Sequence, residues 1–349
     1  MKNILYLIVC IVIISCTPQN KYDKNTFNSN VDIEKLKLLL FSDSLKVGNS
    51  WIFLNYSNIM KPLNDSLIVL TDKNRIIFFD SELEFIVELD RSKYDFLITK
   101  EIRDIESVNN KIYLLDGVGS IVELTMERYS IIDAKYIIKN QPSITDLSII
   151  NKDYMLIANM IIPPKYRGNS NLKLGSIINT IDGSEESEFV LTDKKLDRIW
   201  NNFIDKAFIT SYHNKVYINF AISRSVFVYN IYDGQLITKY EAEVNKSVWQ
   251  EPTISSYTSE ESVNGEAKFQ NSSLIIPVFN DSIQKVDSNY FQIVFNGMQD
   301  TMTLYLYNAK FIFYKKYNLE VLESDVNYKL YFYGNKCLII GKKFYLFEL

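Results

Sequence analysis

The sequence predicts an all-β chain in which short strand meanders repeat along most of its 349 residues. The pattern is plainest between Asp65 and Asp90. There three apolar runs of strand length, residues 67–71, 76–79 and 85–89, are separated by the turn-forming segments DKNR and DSELE. The same layout returns in NKIYLLDGVGSIVELTMERYSIIDAKYIIK from Asn110 and in HNKVYINFAISRSVFVYNIYDGQLITKYEAE from His213. Composition agrees, with 47% apolar residues, 24 Tyr and 21 Phe, which favours strands. A lone meander cannot bury both of its faces, so such units have to stack.

Taken in order, the chain begins with Lys2, an apolar run over residues 4–14, and Ser15-Cys16. That run is too short to span a bilayer and is followed by polar residues, so residues 1–15 are predicted to be a signal peptide. Residues 16–30, polar and Asn-rich, read as a flexible tether, and residues 31–349 as one domain, since no low-complexity linker divides them. Residues 31–41 fit an outer strand or a short helix, and residues 51–56 a strand. The third copy has strands at 154–159, 176–182 and 187–191, around a long loop with Pro163 and Pro164. The fourth has them at 216–221, 225–231 and 236–241, with a hairpin turn at Tyr232-Asp233-Gly234. A polar insertion over residues 244–271 precedes the fifth copy, at 292–295, 303–307 and 311–317. The last stretch, YKLYFYGNKCLIIGKKFYLFEL, holds three strands and stops.

Leu67, Lys111, Tyr154, Lys215, Tyr290 and Lys329 open the first clear strand of successive copies, about 40 residues apart except where the loops intervene. Six such copies predict a six-bladed β-propeller, with seven blades as the alternative because the Asp-Gly turns of the third and fifth copies are imperfect. A final blade one strand short needs a partner, and residues 31–56 are expected to supply the N-terminal strand that closes the ring.

Ile13-Ile14-Ser15-Cys16 resembles the bacterial lipobox, which implies that Cys16 is the first mature residue and carries a lipid. Together with the tether and the repeated units at residues 67–80, 112–123 and 216–233, it resembles the TolB-like or NHL-like propeller lipoproteins of Bacteroidetes. The resemblance implies a location in the cell envelope, at the outer membrane, with the side of the membrane left open.

Few residues carry obvious chemistry. With a single histidine, His213, every His-dependent triad or zinc site would rest on one turn residue, so no metal or cofactor is expected. Of the three cysteines, Cys10 leaves with the signal, Cys16 carries the lipid, and Cys337 sits in an apolar strand pattern as a buried small hydrophobe. A net charge of -4 with no Lys/Arg cluster excludes nucleic acid as a partner. Propellers bind at the mouth of the channel through long loops, which singles out Arg167, Trp200 and Trp249 as candidate ligand contacts. Asp-(Ser/Thr)-aliphatic triplets at Ser44, Ser66, Ser282 and Thr301 resemble the O-glycosylation acceptor of Bacteroidetes secreted proteins, where composition alone predicts about one match. Turn-then-strand grammar also produces them. The resulting expectation is a binding or interaction module for a protein, peptide or glycan, anchored to the membrane through its lipid. The alternative is a propeller enzyme, a hydrolase or lyase acting on glycan or peptide.

Overall fold

The computed structural model describes residues 33–35, 37–54, 59–72, 75–94, 101–161, 171–191, 205–220, 223–241, 284–286, 289–295, 301–308, 313–320, 329–340 and 343–348. Four N-terminal strands come first: β1 (Ile33–Lys35), β2 (Lys37–Ser42) and the hairpin β3 (Ser44–Val47) with β4 (Ser50–Phe53). The first meander follows as β5 (Ile59–Asn64), β6 (Leu67–Thr71), β7 (Arg75–Asp80) and β8 (Phe85–Asp90). The second comprises β9 (Ile102–Val108), β10 (Lys111–Asp116), β11 (Ile121–Glu127) and β12 (Ser130–Ile138). In the third are β13 (Ile144–Ile149), β14 (Tyr154–Ile161), β15 (Leu172–Asn179) and β16 (Glu185–Leu191). The fourth runs through β17 (Asp205–Tyr212), β18 (Lys215–Phe220), β19 (Ser223–Asn230) and β20 (Leu236–Glu241), and is joined to the third by a short β14–β17 pairing. β21 (Gln284–Val286), β22 (Asn289–Phe295), β23 (Thr301–Asn308) and β24 (Phe313–Glu320) form the fifth, and β25 (Lys329–Tyr333), β26 (Lys336–Ile340) and β27 (Phe344–Glu348) end the chain.

Within every meander neighbouring strands pair antiparallel, and the first strand of each unit lies against the first strand of the next: β5 on β9, β9 on β13, β13 on β17, β17 on β21, β21 on β25, and β25 back on β5. The cycle closes. Among the described residues this is a β-propeller, a ring of meanders around an axis lined by the first strands.

The apolar second and third strands are explained by the stacking. Ile68, Leu70, Ile77 and Phe79 point to one side of the first sheet, into a core shared with Leu338, Phe344 and Leu346 of the last unit. Val69, Ile76 and Phe78 point to the other side, against Ile105, Ile112 and Leu124 of the second unit. A sheet sandwiched between two others is buried on both faces, so its middle strands read as continuous apolar runs. Each such side chain removed from water contributes about 1.5–3 kcal/mol. Cys337, on β26, is buried as its sequence context predicts.

Ring closure uses the N-terminus twice. β2 pairs antiparallel with β27, Lys37 opposite Glu348 and Ser42 opposite Phe344, which supplies the strand the last unit lacks. One step earlier β1 adds in parallel to β24 of the fifth unit. Residues 33–35 and 37–42 thus form outer strands, not a helix. Next, the β3–β4 hairpin buries Leu45, Val47, Ile52 and Leu54 between the last and first units, while Trp51 and Phe53 stay 61% and 66% exposed on its outer side.

One register shift from expectation matters for function. Leu67, Lys111, Tyr154, Lys215 and Tyr290 belong to the second strand of their units, not the first. The true first strands of the first four units are Ile59–Asn64, Ile102–Val108, Ile144–Ile149 and Asp205–Tyr212, which carry charge and face the axis.

Candidate functional site

The axis of the ring opens into a cavity of about 520 Å³ built by first strands of five units. β5 contributes Lys61 and Pro62, β9 Glu106, β13 Asp146, β17 Tyr212, and β25 Tyr331. Pro62 sits at a bulge in the β5–β6 pairing on a strand whose other edge faces the channel, a position that tolerates a residue without an N–H.

At its wall lies an ion network shared by three units. Lys61 Nζ donates to Asp104 Oδ1 at 2.9 Å and to Glu106 Oε1 at 2.7 Å. Asp104 is further held by the Ile105 N–H at 2.8 Å and, through Oδ2, by the Leu147 N–H of β13 at 3.1 Å. The Lys61 side chain is 15% exposed and that of Asp104 9%. Burial would pull the Lys61 amine down, but Asp104, Glu106, Tyr331 and Asp146 around it hold it well above its ordinary value. Burial pushes the Asp104 carboxyl up, yet the Lys61 charge, a proton shared with the Asp146 carboxyl, and hydrogen bonds from Lys61 and the Leu147 N–H bring it below the usual range. For Glu106 burial wins, aided by the neighbouring Asp104 charge, and its carboxyl is raised despite Lys61. Three carboxyl groups, Asp104, Glu106 and Asp146, therefore gather around one ammonium.

The turn between β17 and β18 stands at the lip of this cavity. There His213 is in the left-handed region, with φ of 52°, and its ring lies 4.0 Å from that of Tyr212 at an angle of 42°. His213 is a turn residue, as its sequence context predicts, and it also lines both the channel cavity and a neighbouring cleft. The turns that leave the first strands share this face: Asp65, in the β5–β6 turn, accepts a hydrogen bond at 2.9 Å from the Gly334 N–H in the β25–β26 turn. The β3–β4 hairpin lies at the opposite face, where the chain enters β5. No group of three or more potential metal ligands occurs among the described residues.

Of the residues singled out from sequence, Cys16, Arg167, Trp200, Trp249 and Ser282 lie outside the described residues. Ser44 opens the hairpin strand β3, Ser66 occupies the exposed β5–β6 turn, where its hydroxyl donates to Asn64 Oδ1 at 2.9 Å, and Thr301 is the first residue of β23. Lys61, Asp104, Glu106 and Asp146 are not among the residues that the sequence singles out. Their signal is a short run ahead of each apolar strand in which charged residues alternate with aliphatic ones, as in IRDIESV.

No family model matches the chain, and no curated protein does. Among solved structures, it is similar to a putative exported protein from Bacteroides fragilis NCTC 9343, at 11% identity and a TM-score of 0.53, covering 90% of this chain and 85% of that one. A protein of unknown function from Bacteroides caccae gives 7% identity and a TM-score of 0.46, over 79% of this chain and 87% of the other. BamB from Moraxella catarrhalis gives 7% and 0.45, over 90% and 98%. At such identities the likeness concerns the fold alone. The fold is shared.

Proposed function

We propose that this protein is a lipid-anchored, extracytoplasmic binding module whose ligand docks at the channel mouth. One observation carries the reading: a cavity of about 520 Å³ on the ring axis, walled by an ion network that three different units assemble. Charged groups held in a concave site by rigid strands, with Tyr212 and Tyr331 beside them, provide the few placed polar groups and apolar surface by which ligands are recognised. The tether over residues 16–30 and the lipobox-like Ile13-Ile14-Ser15-Cys16 support anchoring through Cys16 in the cell envelope, at the outer membrane. Equal incorporation of a fatty-acid analogue by wild type and Cys16→Ser would remove that part of the reading. Arg167, Trp200 and Trp249 are proposed to extend the recognition surface from the long loops. Glycosylation is proposed at Ser44, Ser66, Ser282 or Thr301, with Ser66 exposed and Ser44 partly buried.

Peptide and glycan arrays probed with the soluble chain from residue 17 test the binding site. A ligand whose affinity falls about tenfold or more in Asp146→Asn and in Tyr212→Ala, but not in Trp51→Ser on the opposite face, is the expected result. Unchanged affinity in both channel variants would overturn it.

The enzyme reading has one specific observation in its favour. Asp104 and Glu106 accept from the same Lys61 ammonium at 2.9 and 2.7 Å in the wall of the cavity, two neighbouring carboxyls of the kind that acid–base pairs use. Turnover of a bound peptide or glycan that disappears in Glu106→Gln, while binding persists, would establish that reading over simple binding.

A further inference from the structure

A cleft of about 470 Å³ lies between the third and fourth units and shares Ile150 and His213 with the channel cavity. Ile150, Ile177 and Ile231 give it an apolar wall with Tyr154 and Tyr232 as aromatic flanks, and Asn151, Glu186 and Asn214 complete a polar side. Tyr232 is steadied by donating its hydroxyl hydrogen to Asn214 Oδ1 at 3.1 Å. Inside the cleft the Ser187 hydroxyl is buried and makes no hydrogen bond to any described residue. An unmet hydroxyl in a cleft costs stability unless an incoming group meets it.

We propose that one extended peptide occupies both cavities, with a lysine or arginine side chain in the channel and an apolar or aromatic side chain in the cleft. The inference rests on reading the channel mouth as the binding site. Charge selects the first half: with three carboxyl groups against one ammonium, the channel favours a cation beside Glu106 and Asp146, in a cavity that Tyr212 and Tyr331 also line. Apolar surface selects the second half. His213, on the lip common to both, marks where the peptide backbone crosses, and Ser187 is placed to pair with a backbone or side-chain polar group of the segment that enters the cleft. A neutral glycan would stack on the tyrosines but leave the channel charge unanswered, and a polyamine would answer the charge but leave the apolar cleft empty.

Fluorescence polarisation with labelled peptide pools tests this. The probes are capped Gly/Ser peptides holding one Lys and one Leu or Phe at varied separations, beside pools with Glu for Lys and pools with Ser for the apolar residue. Wild type should bind the Lys-plus-apolar pool about tenfold or more tightly than either control pool. Glu106→Gln with Asp146→Asn should abolish the preference for Lys. Ile177→Trp, filling the cleft, should abolish the preference for Leu or Phe and keep the preference for Lys. Where Ile177→Trp fails to fold, Tyr232→Ser at the exposed rim takes its place. Equal binding of the Glu pool, an apolar preference that survives the cleft variants, or failure of every pool to bind would each overturn the peptide assignment. The channel reading fails separately, when a ligand from the arrays ignores the channel variants.

Discussion

Lys61 on the first unit donates to Asp104 on the second at 2.9 Å, and the other oxygen of that carboxylate accepts from the Leu147 N–H on the third at 3.1 Å. A single pair thus pins three units around the axis. Taking Lys61 away leaves Asp104 and Glu106 buried without their cation, and breaking a buried pair from one side costs about 3–5 kcal/mol. Lys61→Met is therefore expected to lower the urea midpoint by that much free energy, and the triple change Lys61→Met, Asp104→Leu, Glu106→Met to recover most of it. Equal stability of wild type and Lys61→Met would show that the network contributes nothing.

Acid should find the same network. Asp104 titrates below its unfolded value of about 3.9, so the unfolded chain binds more protons there and stability is lost as pH falls from about 4 toward the lower folded value. Glu106 has the opposite sign. Its raised carboxyl contributes stability below its unfolded value of about 4.3, and that contribution is lost as pH rises through the folded value. Unfolding free energies measured between about pH 2.5 and 7 should fall less steeply at the acid end in Asp104→Asn than in wild type. Parallel curves would assign the acid limb to other carboxylates.

Ring closure predicts unequal truncations. Removing residues through Asn30 touches no described strand, whereas removal through Tyr56 strips β1 from β24, β2 from β27, and four buried side chains, Leu45, Val47, Ile52 and Leu54. At about 1.5–3 kcal/mol each, those four side chains alone match the net stability of roughly 5–15 kcal/mol typical of a domain. Calorimetry should show a cooperative transition near the wild-type midpoint for the shorter deletion and none for the longer.

Two glycines with the same backbone sign should respond differently to alanine. Gly119 has φ of 76° and a Cβ there would stand 1.7 Å from the Gln141 carbonyl oxygen, while Gly48, at φ of 57°, has open space around it. Gly48→Ala should cost about 1–2 kcal/mol, the left-handed penalty. Gly119→Ala adds a clash with backbone and should cost more. Thermal unfolding giving equal losses would mean that the β12–β13 connection yields freely.

What the sequence determined by itself was the all-β class, the repeat, the strands buried on both faces and the need for an N-terminal closing strand. Each depends on local pattern: the middle strands of a stacked sheet are apolar throughout, and Asp, Asn and Gly mark the turns. Tertiary structure decided the site. The first strands face a polar channel, so Lys61, Asp104, Glu106 and Asp146 interrupt the apolar runs by which strands are read, and the segments that hold them look like connections. Their meeting is equally hidden, since Lys61 and Asp104 are 43 residues apart and come together only because the ring sets β5 beside β9. His213 shows the same division: its turn is legible in Tyr-His-Asn-Lys, but its place on the lip of two cavities follows from how the third and fourth units stack around the axis.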